Sequence, residues 1–382
     1  MTEVAAGDTA AVLAEVGDLA QAQIAPGAAD IDREARFPRE NLRALAEIGA
    51  LGLLVGPEQG GLGGGLTSLA QLCETIGGAC ASTGMVFLMH SVAAATVAGG
   101  GGPRAAELLG RMASGDALGT LAFSERGTGA HFYAPELHAE RRDGSVHVSG
   151  RKAFVTSGGH ADVMLVLLQS EGEGEGLDCF AVQKDDRGVG FEGHWEGLGM
   201  RGNSSIAVEL DDVALDGDAR IGEAGGGVGL VFGVVAPTFL VGLAAVNVGI
   251  AQAALSVAVE HAKSRSYPDG SSLVEVATVQ HALANMDIDT RAARALLHHA
   301  AGLGDAGDEG ALVPLMEAKV LCTDAAARVT QGALEVCGGQ GYTPALPIER
   351  HLRDARAGAV MAPTNGVLRT WSAKAIAGLP VP

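Results

Sequence analysis

An α+β chain of several domains, helical at both ends and β in the middle, is what three features of the sequence predict. The apolar period is helical over the first 116 or so residues, alternates from about Ala117 to Ile221, and becomes helical again to the end. Hydrophobic residues make up 47% of the 382 but aromatics only 4%, with 57 glycines, so the core must be closely packed Ala, Val and Leu, a composition that suits helices. Between Glu223 and Glu260 there is no Asp, Glu, Lys or Arg, as expected of a central helix enclosed by its neighbours. The expected domains are residues 1–116 (helical), 117–222 (β) and 223–382 (helical bundle).

Helices are expected over about residues 9–25 and 38–50, with Phe37-Pro38 as a helix start. The glycine-dense stretch 54–63 reads as a loop, because turns need the positive φ that glycine supplies. Two helices follow, over about residues 66–76 and 82–98. The second is almost wholly apolar around His90 and shorter than the ~20 residues of a bilayer span, which makes it a core helix. In the middle region Asp143-Gly144 signals a hairpin, and residues 161–169, 177–183 and 205–210 read as strands. Residues 171–176 alternate Glu and Gly, a solvated loop whose charges repel one another. Gly225-Gly226-Gly227 opens the last region, with helices over about 274–303 and 314–337, Pro314 in a first turn and Gly338 as a C-terminal cap. Hydropathy alone would also place a membrane span in the uncharged stretch; Gly242, Asn247, Gly249 and Gln252 interrupt it and no basic anchor precedes it, so no membrane contact is expected.

Charge and cysteine usage exclude whole classes of function. The net charge of −19 repels nucleic acid and anionic lipid headgroups. Cys73, Cys80, Cys179, Cys322 and Cys337 are an odd number without a C-x-x-C, which suits reduced thiols in a cytoplasmic protein. Glu3 and Asp8 stand where an export signal needs positive charge. Gly197-Leu198-Gly199-Met200-Arg201-Gly202 matches G-x-G-x-x-G, but a strand is expected after it where a phosphate-binding turn needs a helix. The eleven histidines have no acidic or thiol partners at ligand spacing, so no metal site is expected.

Several segments, taken in order, resemble the acyl-CoA dehydrogenase family. Pro57 to Gly63 is similar to its glycine loop, Leu121-Ala122-Phe123-Ser124-Glu125 to its strand ending in T-E, and Lys152-Ala153-Phe154-Val155-Thr156-Ser157 to its K-x-W-I-T-N strand. Gly199-Met200-Arg201-Gly202 followed by Val208 to Val213 resembles its G-M-R-G and F-D-D-V segments, and Val248-Gly249-Ile250-Ala251-Gln252 one of its principal helices. Near the end come Cys337-Gly338-Gly339-Gln340-Gly341-Tyr342, Pro347-Ile348-Glu349-Arg350 and Arg353-Asp354-Ala355-Arg356. The resemblance implies the family's three-domain fold, an oxidoreductase of acyl-CoA or similar small substrates, and FAD held between the β domain and the C-terminal helices. It also implies a dimer of dimers, in which a neighbouring copy or a paralogue completes each cofactor site. Leu121, Phe123, Ser124, Phe154, Thr156 and Ser157 then match positions at the flavin; an apolar plate and short hydroxyls suit its face and its polar edge. Arg265, Glu335, Gly339 and Thr364 fall in the segments that serve the rest of the cofactor. Without the flanking matches, the same strand residues read as an ordinary half-buried strand.

The departures from the pattern bear on chemistry. The loop that carries the family's catalytic carboxylate commonly reads Y-E-G-T, and here it is Met361-Ala362-Pro363-Thr364, with alanine at the base position. Gly129-Ala130-His131 replaces G-S-D, Phe239-Leu240 replaces a helix arginine, and residues 264–270 replace R-x-x-F-G. Glu335 stands where glutamine is usual. A positioned base is worth ~10²–10⁴ in rate, and alanine supplies none of it. Asp354 reads as one half of an ion pair holding its helix. His90 is either a catalytic acid or base on a cavity-lining helix or a satisfied core histidine. The reading is a flavin-dependent oxidoreductase whose standard base is absent or relocated. Two alternatives stand beside it: a flavin-dependent monooxygenase using His90 and Ser157, and a non-catalytic subunit that completes a related partner's site.

Overall fold

The computed structural model describes residues 9–142, 145–170 and 176–381. Its element order is helices, strands, helices. The expected Asp143-Gly144 turn and most of the Glu-Gly loop (171–175) lie outside the described residues, but the strands flanking 143–144 pair antiparallel, as a hairpin requires.

Helices α1 (Thr9–Leu19) and α2 (Ala25–Glu34) run on through a π-helical turn at Ala20–Ile24, longer than the period indicated. Next come α3 (Arg39–Glu47), α4 (Leu66–Ala79), α5 (Ala81–Gly100) and α6 (Ala105–Ser114), the last unforeseen from the sequence. α5 and the helix of the uncharged stretch are long and apolar enough to cross a membrane, yet 89% and 61% of their most apolar windows are buried inside the fold.

The strands form two four-stranded sheets. One has the order β1 (Gly119–Ala122), β4 (Val163–Gln169), β5 (Leu177–Gln183), β8 (Arg220–Ile221), with β1 parallel to β4 and the rest antiparallel. The other is β2 (Ala139–Arg142), β3 (Ser145–Val155), β7 (Ile206–Leu215), β6 (Val189–Glu192). β4 shows why it reads as an unbroken apolar run. Its Met164, Val166 and Leu168 face the other sheet, while Val163, Leu165 and Leu167 face the helices. Covered on both sides, it has no solvent face to mark with polar residues.

The uncharged stretch becomes α7 (Gly227–Leu230), a π-helical turn (Val231–Val235) and α8 (Ala236–Ser264), the central rod of a bundle with α9 (Ala277–Asp305) and α10 (Leu312–Gly341). Small residues are needed where α4 crosses α8. A Cβ on Gly249 would stand 2.1 Å from the Glu74 carbonyl oxygen, and one on Gly77 2.8 Å from the Val246 Cα. Gly338, at φ +54°, breaks α10 near the expected cap position. The short helices α11 (Ile348–Asp354) and α12 (Ala357–Val360) then lead to α13 (Asn365–Ile376).

Candidate active site

A cleft of about 620 Å³ opens where the β sheets meet α5, α8 and the α11–α12 segment. Leu121, Phe123 and Ser124 at the end of β1 form one wall, with Phe154 and Thr156 from the end of β3 beside them. Met85 and Met89 of α5, Val235, Phe239 of α8, and Met361-Ala362 also line the cleft.

Phe154 owes its position to a bulge. Between the pairs Lys152↔Val208 and Val155↔Ile206, β3 carries one residue more than β7. The extra residue re-aims the side chains that follow. Phe154 sits at φ +55°, where a bulky residue is strained, and its ring is left 65% exposed on the cleft wall. An aromatic held at that cost and still uncovered marks a surface for a ligand.

A buried ion pair holds the bulge in place. Lys152, fully buried, places Nζ 2.5 Å from Glu125 Oε1 and 2.6 Å from the Leu167 carbonyl oxygen, so it ties β3 to β4 and to the segment carrying Phe123 and Ser124. Glu125 Oε2 accepts the Glu136 N–H at 2.8 Å. Burial pushes the Lys152 pKa down, against the pull of Glu125.

The segment 195–205 forms the rim; Gly197 to Gly202 were read from the sequence as a motif, while Trp195 and Asn203 escaped it. Trp195 lines the cleft and donates from Nε1 to the Met200 carbonyl. Met200 and Ser204 are also at positive φ, as is Ser157, so four strained non-glycine residues, counting Phe154, gather at this one corner. Asp354 accepts the Met200 N–H at 2.6 Å. This corrects the expected ion pair: Asp354 fastens a strained turn by its backbone, and burial raises its pKa to about 6. Arg353 makes the ion pairs, to Asp32 and Glu349, and adds a bond to the Leu198 carbonyl. Gly199 is required here, since a Cβ would stand 2.5 Å from the Arg353 carbonyl. The G-x-G-x-x-G match is thus a rim turn leading into β7, not a phosphate loop.

Ala362 faces the cleft from the loop after α12. The loop itself is firmly held. Lys319 of α10, fully buried, donates to the Pro363 carbonyl at 3.0 Å and to Asn365 Oδ1 at 2.9 Å, and burial lowers its pKa to about 7.

Six of the expected positions therefore meet in one cleft: Leu121, Phe123, Ser124, Phe154, Thr156 and Ala362. The others do not line it. His90 is fully buried; its Nδ1 accepts the Gly119 N–H and its Nε2 donates to the Leu51 carbonyl, both at 3.1 Å. With both nitrogens occupied, it is the satisfied core histidine of the two readings and has nothing to offer a substrate. Ser157 is likewise sealed beneath the wall. Thr364 caps α13 by accepting the Val367 N–H. Arg265, Glu335 and Gly339 are exposed away from the cleft, and Glu335 accepts from Gln331 one helical turn earlier.

The buried histidines give the fold an acid limit. Burial lowers the pKa of His90 to about 4 and of His351 to about 3. A depressed histidine pKa contributes stability that is present above the unfolded value near 6.5 and lost as pH falls toward the folded one. For His90 alone the loss from pH 7 to pH 4 is about 3 kcal/mol. Asp354, with its raised pKa, works with the opposite sign and offsets part of it. The melting temperature is expected to fall between pH 6.5 and pH 4, and His90→Gln, which keeps a donor and an acceptor, should flatten that slope. Identical slopes in the two proteins would refute the assignment.

The ionisable residues described on the cleft wall are Glu125, Arg126, Arg353 and Arg356. Glu125 is spent on Lys152, so no free carboxylate lines the cleft among the described residues. What remains is an apolar chamber, an exposed aromatic plate, and wall hydroxyls from Ser124 and from the adjacent Thr156 and Ser205. Close by, Ser157 Oγ and Asn203 Nδ2 are buried without a hydrogen-bond partner. This arrangement fits a flat aromatic group with one polar edge.

Comparison with known proteins points the same way along the whole chain. Residues 7–116, 120–213 and 241–377 match the models of the acyl-CoA dehydrogenase N-terminal, middle and C-terminal domains. The chain is 32% identical over 365 residues to cyclohex-1-ene-1-carbonyl-CoA dehydrogenase of Geobacter metallireducens, covering 94% of this chain and 96% of that one. It is 30% identical over 356 residues to the mitochondrial short-chain specific acyl-CoA dehydrogenase of Bos taurus, covering 92% and 86%. Among solved structures, butyryl-CoA dehydrogenase from Megasphaera elsdenii superposes with a TM-score of 0.91 at 25% identity, covering 97% of this chain and 98% of that one.

Proposed function

The chain belongs to the acyl-CoA dehydrogenase family, and from that premise we propose that it oxidises an acyl-CoA or a similar acyl substrate without a carboxylate base in the 361–364 loop. One observation carries the reading: the exposed Phe154 plate and Ala362, an alanine, line the same cleft. FAD is the family's cofactor, and when bound it supplies the acceptor for two electrons.

Each part of the wall has a role in this reading. Phe123 and Phe154 pack against the cofactor ring, and Ser124, Thr156 and Ser205 meet its polar edge. Met85, Met89, Val235 and Phe239 enclose the acyl group and exclude water. Relatives act, by their names, on an alicyclic and on short-chain acyl thioesters, and the apolar chamber suits groups of that kind. The exposed Arg265, Glu335 and Gly339 serve the cofactor of a neighbouring copy, in a dimer of dimers. The monooxygenase reading keeps Ala362 on the cleft but loses His90 and Ser157, which are both sealed.

The test is a visible spectrum of the purified protein with added FAD. Stoichiometric flavin absorbance, bleached anaerobically by a short-chain or alicyclic acyl-CoA, is the expected result, and Phe154→Ala should weaken FAD binding at least tenfold. A protein that takes up no FAD, or whose FAD no acyl-CoA bleaches, would sink the proposal. Full loading of a monomer would remove the three exposed residues from the site.

A further inference from the structure

Three side chains form a hydrogen-bonded chain from the interior to the cleft wall. Thr156 Oγ1 and Ser205 Oγ, both on the wall, lie 3.0 Å apart, and Ser205 Oγ donates to Asn203 Oδ1 at 3.2 Å. Asn203 is fully buried. Its backbone is pinned on both sides, the N–H donating to the Met200 carbonyl at 3.2 Å and the carbonyl accepting the Ser157 N–H at 2.9 Å.

The Asn203 carboxamide is placed with Oδ1 toward Ser205, and with that orientation counting hydrogens sets the direction of the chain. A carboxamide oxygen only accepts, so Ser205 must give it its single hydrogen. Thr156 must then donate to Ser205, and what it turns to the cleft is lone pairs alone. Short polar wall residues are ordinarily ambivalent; this one is committed by a residue that does not itself reach the cleft.

We infer that Asn203 is a positioning residue which, through Ser205, holds Thr156 as a hydrogen-bond acceptor toward the bound cofactor and so favours its reduced form. The chemistry behind this is general: two-electron reduction places hydrogen on a flavin ring nitrogen, turning an acceptor into a donor, and an acceptor-only neighbour prefers the donor. The inference rests on the FAD reading above.

The experiment measures the two-electron reduction potential of the FAD-loaded protein against a reference dye. Asn203→Leu removes the acceptor, frees the Ser205 hydrogen for Thr156, and lets Thr156 donate into the cleft. The expected result is a tenfold lower ratio of reduced to oxidised flavin at a given solution potential, about 30 mV more negative. Ser205→Ala, which also releases the Thr156 hydrogen, should move the potential the same way, while Ser205→Thr should keep the wild-type value. In a Thr156→Val background Asn203→Leu should have no effect, because the hydroxyl it acts through is gone. Where Asn203→Leu fails to retain FAD, the Ser205 pair decides. No shift, a positive shift, or a shift that survives in the Thr156→Val background overturns the inference and leaves the FAD reading intact. Failure of the wild-type protein to load FAD overturns both.

Discussion

Ala362→Glu is expected to accelerate anaerobic bleaching of the FAD-loaded protein by an acyl-CoA by ~10²–10⁴, the usual contribution of a positioned general base. The reasoning is structural. Ala362 faces the cleft, and the loop carrying it is anchored by Lys319 through the Pro363 carbonyl and Asn365. A glutamate there inherits a rigid support, and Lys319 touches the backbone after it without occupying the cleft. Stopped-flow absorbance at the flavin band reads the rate directly. If the variant loads FAD and binds the same acyl-CoA but bleaches no faster, the proton is not removed at this loop, and the assignment of position 362 fails.

Lys152→Met is expected to destabilise the fold by about 3–5 kcal/mol, because it leaves the Glu125 carboxylate buried without its partner. The effect should appear in urea denaturation followed by circular dichroism. Lys152→Met combined with Glu125→Gln should regain much of the loss, since the double variant buries no net charge. The single variant should also lose FAD affinity, because the pair ties the Phe154 bulge to Phe123 and Ser124. A loss below 1 kcal/mol would mean that water reaches Glu125 and that the pair does not brace the wall.

Much of the architecture could be read from periodicity, and the reasons are physical. β5 was expected over residues 177–183 and occupies Leu177–Gln183, because its flanks are turn-forming and its residues strongly apolar. Gly338 marked the end of α10 because few other residues adopt its backbone angles without strain. The 10-residue α6 escaped because it is short and carries Gly110, although Ala105, Leu108, Leu109, Met112 and Ala113 fall at helical spacing. Within the site, the residues singled out by local motif matches, Phe123, Ser124, Phe154, Thr156 and Ala362, all line one cleft. The sequence left His90 open between two readings, since an apolar helix with one histidine looks the same whether that residue faces a cavity or the β1 backbone. Trp195 and Asn203 were missed because they act through turn geometry, in which neighbours are chosen by φ and ψ and no spacing rule applies. A tryptophan two residues before a glycine-rich turn was the only available signal.

The α4–α8 crossing sets the terms for any redesign of this protein. Gly77 and Gly249 bring main chain against main chain, so a methyl group added at either would wedge α4 away from α8, the rod that carries Phe239 of the cleft wall. Room for a bulkier ligand in the cleft must be carved from Met85 and Met89, whose unbranched thioethers can be shortened while the scaffold stays where it is.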